Sequence, residues 1–199
     1  MNIRHLLVIF GLCATTAFAA DVAPDALVKN TADEVLTIIR QDKDIQAGNT
    51  KKVVDLVQAK VLPHFDFTRM TRLTLGKNWN QANDAQKEAL VKEFQTLLVR
   101  TYSVSLAQYR NQTLEYKPTR VAPEDKDAVV KTLVNQPGGQ AIPIDYRMEK
   151  MPQGWKVFDI SVDGVSLVTN YRSEFVSQVE RGGIDGLIKS LSEKNKAAK

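Results

Sequence analysis

Very few side chains in this sequence have the types and spacing that catalysis requires. His64 is the only histidine outside residues 1–20, and Asp66 lies close enough in sequence to form a dyad with it. No serine, cysteine or second histidine motif accompanies the pair, and one histidine cannot build a zinc site without partner ligands. No glycine-rich phosphate-binding loop occurs in the chain. We therefore expect His64 to be structural or solvent-exposed, and we expect neither a metal site nor catalytic residues.

A carboxylate and three arginines could still act on a ligand. Asp159 falls within a predicted strand, where it could be an acid or a base in a pocket, as in small cone-shaped isomerases. Such a carboxylate more often bonds a nearby arginine or a turn amide, which is the interpretation that we favour. Arg172 follows the start of a predicted helix, where it could hold a phosphate or pair with Asp163 or Asp159. Arg69 and Arg72 have the same two alternatives.

Composition and charge are those of an ordinary globular chain. The 199 residues are 43% hydrophobic and 25% charged, with a formal charge of +4. This length suits one well-packed core and is too short for two. Acidic and basic residues are interspersed, so we expect no nucleic-acid partner and a mild attraction to anionic membranes or acidic protein faces. Only residues 194–199 form a basic cluster, which we expect to be a flexible tail.

Residues 1–19 have the pattern of a cleavable secretory signal peptide. Arg4 supplies a positive start, residues 6–14 form a short apolar run, and residues 17–19 form a small-x-small cleavage site. The run is too short to span a membrane. Cys13, the only cysteine, lies within it. We therefore expect an exported protein without thiols, disulfides or zinc–cysteine sites.

The order of the predicted elements indicates an α+β fold. Apolar residues at three- and four-residue steps predict helices over 24–42, 53–61, 66–76, 83–109, 166–181 and 185–194. Asn83 with Gln86 resembles a capping box at the start of the fourth of these helices. Alternation of apolar and polar residues predicts about four strands, over 113–120, 128–134, 142–149 and 155–162. Short turns join these strands, so the sheet should be an antiparallel meander.

The last predicted strand and the long helix suggest a cone-shaped interior. Phe158, Ile160 and Val162 alternate onto one face of the strand, and the turn at Asp163-Gly164 then leads into a helix. A long helix over 83–109 that packs across a strongly bent sheet leaves a cone. Such a cone can hold a ligand if side chains do not fill it.

Several short motifs, in their order and spacing, resemble the MlaC family and its Ttg2D-like toluene-tolerance members. The resemblance covers nearly the whole chain after the signal peptide. The motifs are Phe65-Asp66-Phe67, Leu75-Gly76-Lys77-Asn78-Trp79, Thr101-Tyr102, Ile144-Asp145-Tyr146-Arg147, Val157-Phe158-Asp159-Ile160, Gly164-Val165-Ser166-Leu167-Val168 and Asn170-Tyr171-Arg172-Ser173-Glu174-Phe175.

The resemblance implies an NTF2-like fold with helices on a curved antiparallel sheet that encloses a deep apolar pocket. It implies a periplasmic phospholipid carrier of Gram-negative bacteria that maintains outer-membrane lipid asymmetry. The implied partners are an outer-membrane lipoprotein–porin complex and an inner-membrane MCE-type protein of an ABC transporter. It also implies a monomer with one lipid-binding domain over residues 20–193, with no cofactor and no enzymatic activity. Two alternatives stay open: an exported cone-fold isomerase or dehydratase that uses Asp159 with Tyr146 or Tyr102, and an adaptor with a solid core.

The family pocket is formed by apolar residues of the sheet and the helices. By our assignment the lining residues in this chain are Phe67, Met70, Leu73, Phe94, Leu98, Tyr102, Val130, Ile142, Ile144, Tyr146, Met148, Phe158, Ile160, Val162, Val165, Val168 and Tyr171. Arg172 is assigned to the head group or to a structural role.

Overall fold

The computed structural model describes residues 22–197. The predicted signal peptide lies outside the described residues. Two short 3-10 turns, over Leu62–His64 and Gly76–Gln81, flank the fourth helix. The α-helices of this part of the chain are α1 (Pro24–Gln41), α2 (Lys43–Gln46), α3 (Thr50–Lys60), α4 (Phe67–Leu75), α5 (Asp84–Ala107) and α6 (Leu167–Ala197).

Local sequence signals explain where the main helices begin and bend. Asn83 and Gln86 form a reciprocal capping box at the start of α5, as predicted. The Asp66 carboxylate accepts the Arg69 backbone N–H at 2.8 Å and so caps α4. Gly183 has a φ of +65° inside α6, which kinks the helix there. The predicted break at this position is therefore confirmed as a kink within α6.

The C-terminal end of α6 is packed. The Asn195 side chain is buried, and its amide group donates to the Glu93 backbone carbonyl at 3.0 Å and to the Glu93 carboxylate at 2.7 Å. Lys194 pairs with Glu174. Residues 194–197 belong to α6, and the side chains of Lys194 and Asn195 find partners on α6 and α5. Residues 198 and 199 lie outside the described residues.

The strands form one antiparallel sheet that is curled rather than closed. The order in the sheet follows the chain, so the predicted meander is confirmed. The fifth strand was not predicted, because two residues show no alternation. The strands are β1 (Thr113–Tyr116), β2 (Asp127–Asn135), β3 (Ile142–Met151), β4 (Gly154–Val162) and β5 (Val165–Ser166).

A β-bulge shifts the faces of β4. Ile160 lies opposite Tyr146, whereas Val157 lies opposite Met148, so β4 has one more residue than β3 over this step. The extra residue moves Val157 onto the face of Ile160. The predicted alternation is therefore wrong at Phe158, which does not share that face.

The Phe158 ring instead lies against cations. The Arg69 guanidinium carbon is 3.6 Å from the ring centroid, and that of Arg147 is 5.1 Å away. Arg69 also pairs with Glu149 of β3. Cations over an aromatic face are stabilising, so this cluster ties α4 to the outer side of the sheet.

Asp159 joins the sheet to α6. Its side chain is 1% exposed, and its carboxylate accepts the Val168 backbone N–H at 3.1 Å and the Ser166 hydroxyl at 2.6 Å. The Ser166 hydroxyl oxygen in turn accepts the Thr169 backbone N–H at 3.1 Å. The Arg147 guanidinium lies 3.7 Å from the same carboxylate. The preferred interpretation of Asp159, a bond to a nearby arginine and a turn amide, is confirmed.

The buried apolar side chains of the described residues fall into three clusters. The helical cluster joins α4, α5 and α6, around Met70, Phe94 and Phe175. The N-terminal cluster joins α1, α2, α3 and α5. The sheet cluster joins α1 to β2, β3 and β4. Phe65 and Ile160 are half-buried and contact both the helical and the sheet cluster, so only a few side chains bridge the two.

Replacing Asp159 with alanine should destabilise the protein by about 2 kcal/mol, because two bonds at the start of α6 are lost from a buried position. Asp145→Ala is the matched control, because Asp145 lies on the same face of the sheet. Its carboxylate is 3.9 Å from the Lys131 amine and makes only this weak ion pair among the described residues. That change should stay below about 0.5 kcal/mol. Urea denaturation measures the free energy of unfolding of both variants. Equal losses of stability in the two would contradict the capping role of Asp159.

His64 should make stability depend on pH. Burial, with a smaller effect of the neighbouring Lys156, lowers the pKa of the imidazole below its ordinary 6.5. The unfolded chain therefore binds more protons than the folded protein between the two pKa values, so stability is fully present above the unfolded pKa and falls as the pH drops below it. Denaturant midpoints at pH 7.5 and 5.5 should differ less in His64→Asn than in the wild type, and an identical pH dependence would contradict this.

Candidate functional site

One face of the sheet is apolar along three strands. Val130 lies opposite Tyr146, and Tyr146 lies opposite Ile160. Ile144 lies opposite Val162. Side chains of directly paired residues point to the same side of a sheet. We call this side the inner face; its residues on β2, β3 and β4 are Ala128, Val130, Thr132, Val134, Ile142, Ile144, Tyr146, Met148, Val157, Ile160 and Val162.

The inner face is covered at one end only. Val130 and Met148 are 0% exposed and pack with Val28 of α1 in the sheet cluster. Ile144 and Val162 are half-buried, and among the described residues neither they nor Ile142 pack against any of the three clusters. The apolar surface therefore continues past the helices that cover it.

The outer side of the same strands is polar by contrast. Lys131 and Arg147 alternate with inner-face residues and are exposed. Two residues of β2 on this side are apolar: Val129, at 45% exposure, and half-buried Leu133. Most half-buried apolar residues of the strands therefore lie on the inner face, one end of which α1 covers.

Tyr146 lies at the middle of the inner face, between Val130 and Ile160. Burial raises the pKa of its phenol, and a hydrogen bond with Thr132 opposes that shift in part. The side chain still keeps accessible surface and is only half-buried.

The helices place most of their predicted lining residues in the helical cluster. Two of these, Tyr102 and Tyr171, are half-buried, and burial raises the pKa of both phenols. Leu73 is also half-buried. The fully buried ones are Phe67, Met70, Phe94, Leu98 and Val168. The structure therefore brings the predicted residues together in two groups, one on the helices and one on the sheet, which Ile160 connects.

Two predicted lining residues lie elsewhere. Phe158 contacts Arg69 and Arg147 on the outer side, because the bulge turns it away from the inner face. Val165 is paired with Val162 but is 56% exposed, because β5 is the short edge strand of the sheet. Val165 lies at the rim of the inner face.

The candidate acid–base pair does not converge. Asp159 is paired with Arg147, whereas Tyr146 is paired with Ile160, so the two side chains project from opposite faces of the sheet. The Asp159 carboxylate is already bonded at the start of α6. These positions do not suit the isomerase alternative that uses Asp159 with Tyr146.

Arg172 pairs with neither Asp163 nor Asp159. Its Nε and Nη2 atoms donate to the Leu73 backbone carbonyl at 3.2 and 2.7 Å. The prediction of an ion pair with Asp163 or Asp159 is wrong, because Asp159 is turned toward Val168 and Ser166. Arg172, Leu73 and the further candidate Arg72 border a cleft between α4 and α6.

The sequence analysis did not predict some of the inner-face residues. Thr132 is 1% exposed and its hydroxyl donates to the Ile144 carbonyl at 3.3 Å. Val134 lies opposite Ile142, and Val157 belongs to the sheet cluster. The period-2 step from Val130 would have identified Thr132 and Val134. Val157 carries no such signal, because a bulge leaves no mark in the pattern.

The described residues, 22–197, contain no group of histidine, cysteine, aspartate and glutamate side chains that could hold a metal ion. In the same range, no helix has both the length and the apolar character needed to cross a membrane.

Comparison with known proteins gives concordant results. The sequence model of the MlaC protein family matches residues 29–193. Toluene tolerance protein ttg2D of Pseudomonas putida is 25% identical over 183 residues, which is 92% of this chain and 84% of that protein. The intermembrane phospholipid transport system binding protein MlaC of Haemophilus influenzae is 23% identical, over 94% of this chain and 88% of that protein.

A solved structure extends the likeness to the fold. The phospholipid-binding protein of Ralstonia solanacearum, crystallised with a phospholipid, is 42% identical and superposes with a TM-score of 0.82 over 90% of this chain and 99% of that one. Its fold matches the arrangement of helices on a curled antiparallel sheet found here. The family match covers most of the chain, and this chain belongs to the MlaC family.

Proposed function

We propose that this protein binds a phospholipid, with the acyl chains against the inner face of the sheet, and transports it. The observation that carries the proposal is the half-buried stretch of the inner face, where Ile142, Ile144 and Val162 lie outside all three clusters. Apolar surface left without a protein partner is typical of a binding site. The phospholipid in the Ralstonia solanacearum structure supports a lipid as the occupant.

Few contacts join the helices to the sheet, so an acyl chain can enter between them. Phe65 and Ile160 are the half-buried residues that contact both the helical and the sheet cluster. Separating two clusters that share few contacts exposes little extra apolar area. We infer that acyl chains enter between the inner face and the half-buried Tyr102 and Tyr171 of the helices.

The energetics of lipid transfer explain why an apolar binding site suffices. Two acyl chains hold roughly 30 CH₂ groups, and exposing each to water costs about 0.8 kcal/mol. The sum exceeds 20 kcal/mol, so free diffusion of a phospholipid through water is very slow. A protein that encloses the chains removes most of this barrier. Because both membrane and pocket are apolar, the net preference between them is small, and partners must set the direction.

We further propose that residues 20–193 act as one lipid-binding domain in the periplasm. In this proposal residues 1–19 direct export, and the protein shuttles between an outer-membrane lipoprotein–porin complex and an inner-membrane MCE-type protein of an ABC transporter. The name of the Haemophilus influenzae relative, an intermembrane phospholipid transport system binding protein, supports this role. The account requires no cofactor and no catalytic step.

Native mass spectrometry of the purified protein should show a co-purified phospholipid with two acyl chains. Because the proposed site holds the chains and leaves the head group outside, extraction into chloroform should yield several head-group classes. As a control for covalent adducts, the protein is denatured, its lipid is extracted, and its mass is measured again. Protein that carries no lipid, and takes up none from vesicles, would contradict the proposal.

Ile144→Arg should reduce lipid occupancy strongly with a smaller effect on folding. A guanidinium placed among acyl chains loses its hydration, which costs several kcal/mol, whereas half-buried Ile144 contributes little to the core. Val129→Arg is the matched control: it introduces the same side chain on the outer side of the neighbouring strand, at a residue that is 45% exposed. Occupancy is measured by native mass spectrometry and stability by urea denaturation; equal occupancy in the two variants would show that the inner face is not the binding wall.

A further inference from the structure

A second concave site lies away from the sheet. The cleft between α4 and α6 has a volume of about 510 Å³ and also borders the 3-10 turn that follows α4. Half-buried Leu73, Trp79 and Val176 supply its apolar surface. None of its lining residues belongs to a strand. The cleft is therefore separate from the inner face and needs its own explanation.

The charged groups of this cleft all have the same sign. Arg72, Lys77 and Arg172 line it and are exposed, and no lining residue is acidic. In the part of the chain that the structure describes, Arg72 and Lys77 form no ion pair or side-chain hydrogen bond. About half of the other cations of this part do pair with carboxylates, for example Lys194 with Glu174. Three neighbouring cations without a carboxylate create a local positive potential that favours an anion.

One of the three cations is held in place before any ligand binds. The Leu73 carbonyl near the end of α4 accepts the Nε and Nη2 groups of Arg172. The Nη1 group makes no bond within the described residues and remains available. Arg172 and Val176 are four residues apart, so they share one side of α6 and face the cleft together. A guanidinium fixed in this way loses little side-chain entropy when it binds an anion.

We propose that this cleft binds a small organic anion, a carboxylate or a phosphate ester attached to a short apolar group. The three cations match the anionic group, and Leu73, Trp79 and Val176 contact the apolar part. The cleft is too open to enclose long acyl chains, whose exposed CH₂ groups would each cost about 0.8 kcal/mol. The ligand is thus distinct from a two-chain phospholipid in size as well as in location. This inference does not depend on the proposed function of the inner face.

The test is a titration of ¹⁵N-labelled, lipid-loaded protein followed by NMR. The chain has two tryptophans: Trp79 lines the cleft, and Trp155 is buried in the sheet cluster. The indole N–H signal of Trp79 should shift on adding octyl phosphate or octanoate, while that of Trp155 stays constant. The two probes distinguish a phosphate ester from a carboxylate as the preferred anion. Octyltrimethylammonium, with the same chain and the opposite charge, should leave Trp79 unshifted.

Variants assign the effect to the cations. The double variant Arg72→Gln with Lys77→Gln should weaken binding of the preferred probe by about tenfold, which is the loss expected for charge-assisted bonds. Neither residue has a partner to lose, so the fold should be intact. Lys189→Gln, on the exposed side of α6, is the control and should bind as the wild type does. The lipid retained by each protein, measured by native mass spectrometry, should be unchanged.

Four results would contradict the inference. The first is a shift of Trp79 with octyltrimethylammonium as large as with the anions. The second is unchanged affinity in the double variant. The third is a shift of Trp155 with none of Trp79, which would assign the probe to the sheet cluster. An effect of inorganic phosphate equal to that of octyl phosphate would show that the apolar contacts add nothing and would contradict the proposed ligand class.

Discussion

A single buried carboxylate fixes where the helical layer meets the sheet. Asp159 bonds the first turn of α6 through the Val168 amide and the Ser166 hydroxyl, and it lies 3.7 Å from Arg147. This junction brings α6 over the β4 edge, where it packs with α4 and α5 in the helical cluster. α1 packs over one end of the inner face. The half-buried stretch around Ile144 lies beyond the part of the inner face that α1 covers.

Much of the fold follows from local sequence signals, and its departures have physical causes. Alternation and the short turns predicted the meander, and the Asn83–Gln86 pair predicted the start of α5. The bulge in β4 could not be predicted, because it is set by pairing with β3 and not by the sequence of β4 alone. It moves Phe158 to the outer side and brings in Val157. The bonds of Asn195 could not be predicted from the C-terminal basic run, because their partner, Glu93, lies far away in the sequence.

The sequence could predict which residues share one side of the sheet, but not whether a cavity lies beside them. Periodicity places Ile142, Ile144 and Tyr146 on one side of β3, and pairing adds Ile160 and Val162. Whether side chains cover such a face depends on the distance between the helices and the sheet. The periodicity of the sequence carries no information about this distance. Arg172 illustrates the same limit: its helix position was foreseen, while its partner, the Leu73 carbonyl, comes from a distant segment. Physical reasoning on Asp159 succeeded because a buried carboxylate must be bonded.

The central claim is that lipid chains lie against the inner face of the sheet. Its most direct test is NMR of methyl-labelled protein loaded with a phospholipid that carries a nitroxide on its acyl chain. The account predicts broadening of the Ile144, Ile160 and Val162 methyl signals, with Val129 on the outer side unaffected. Equal broadening on both sides of the sheet, or broadening confined to Val129 and the outer surface, would contradict it.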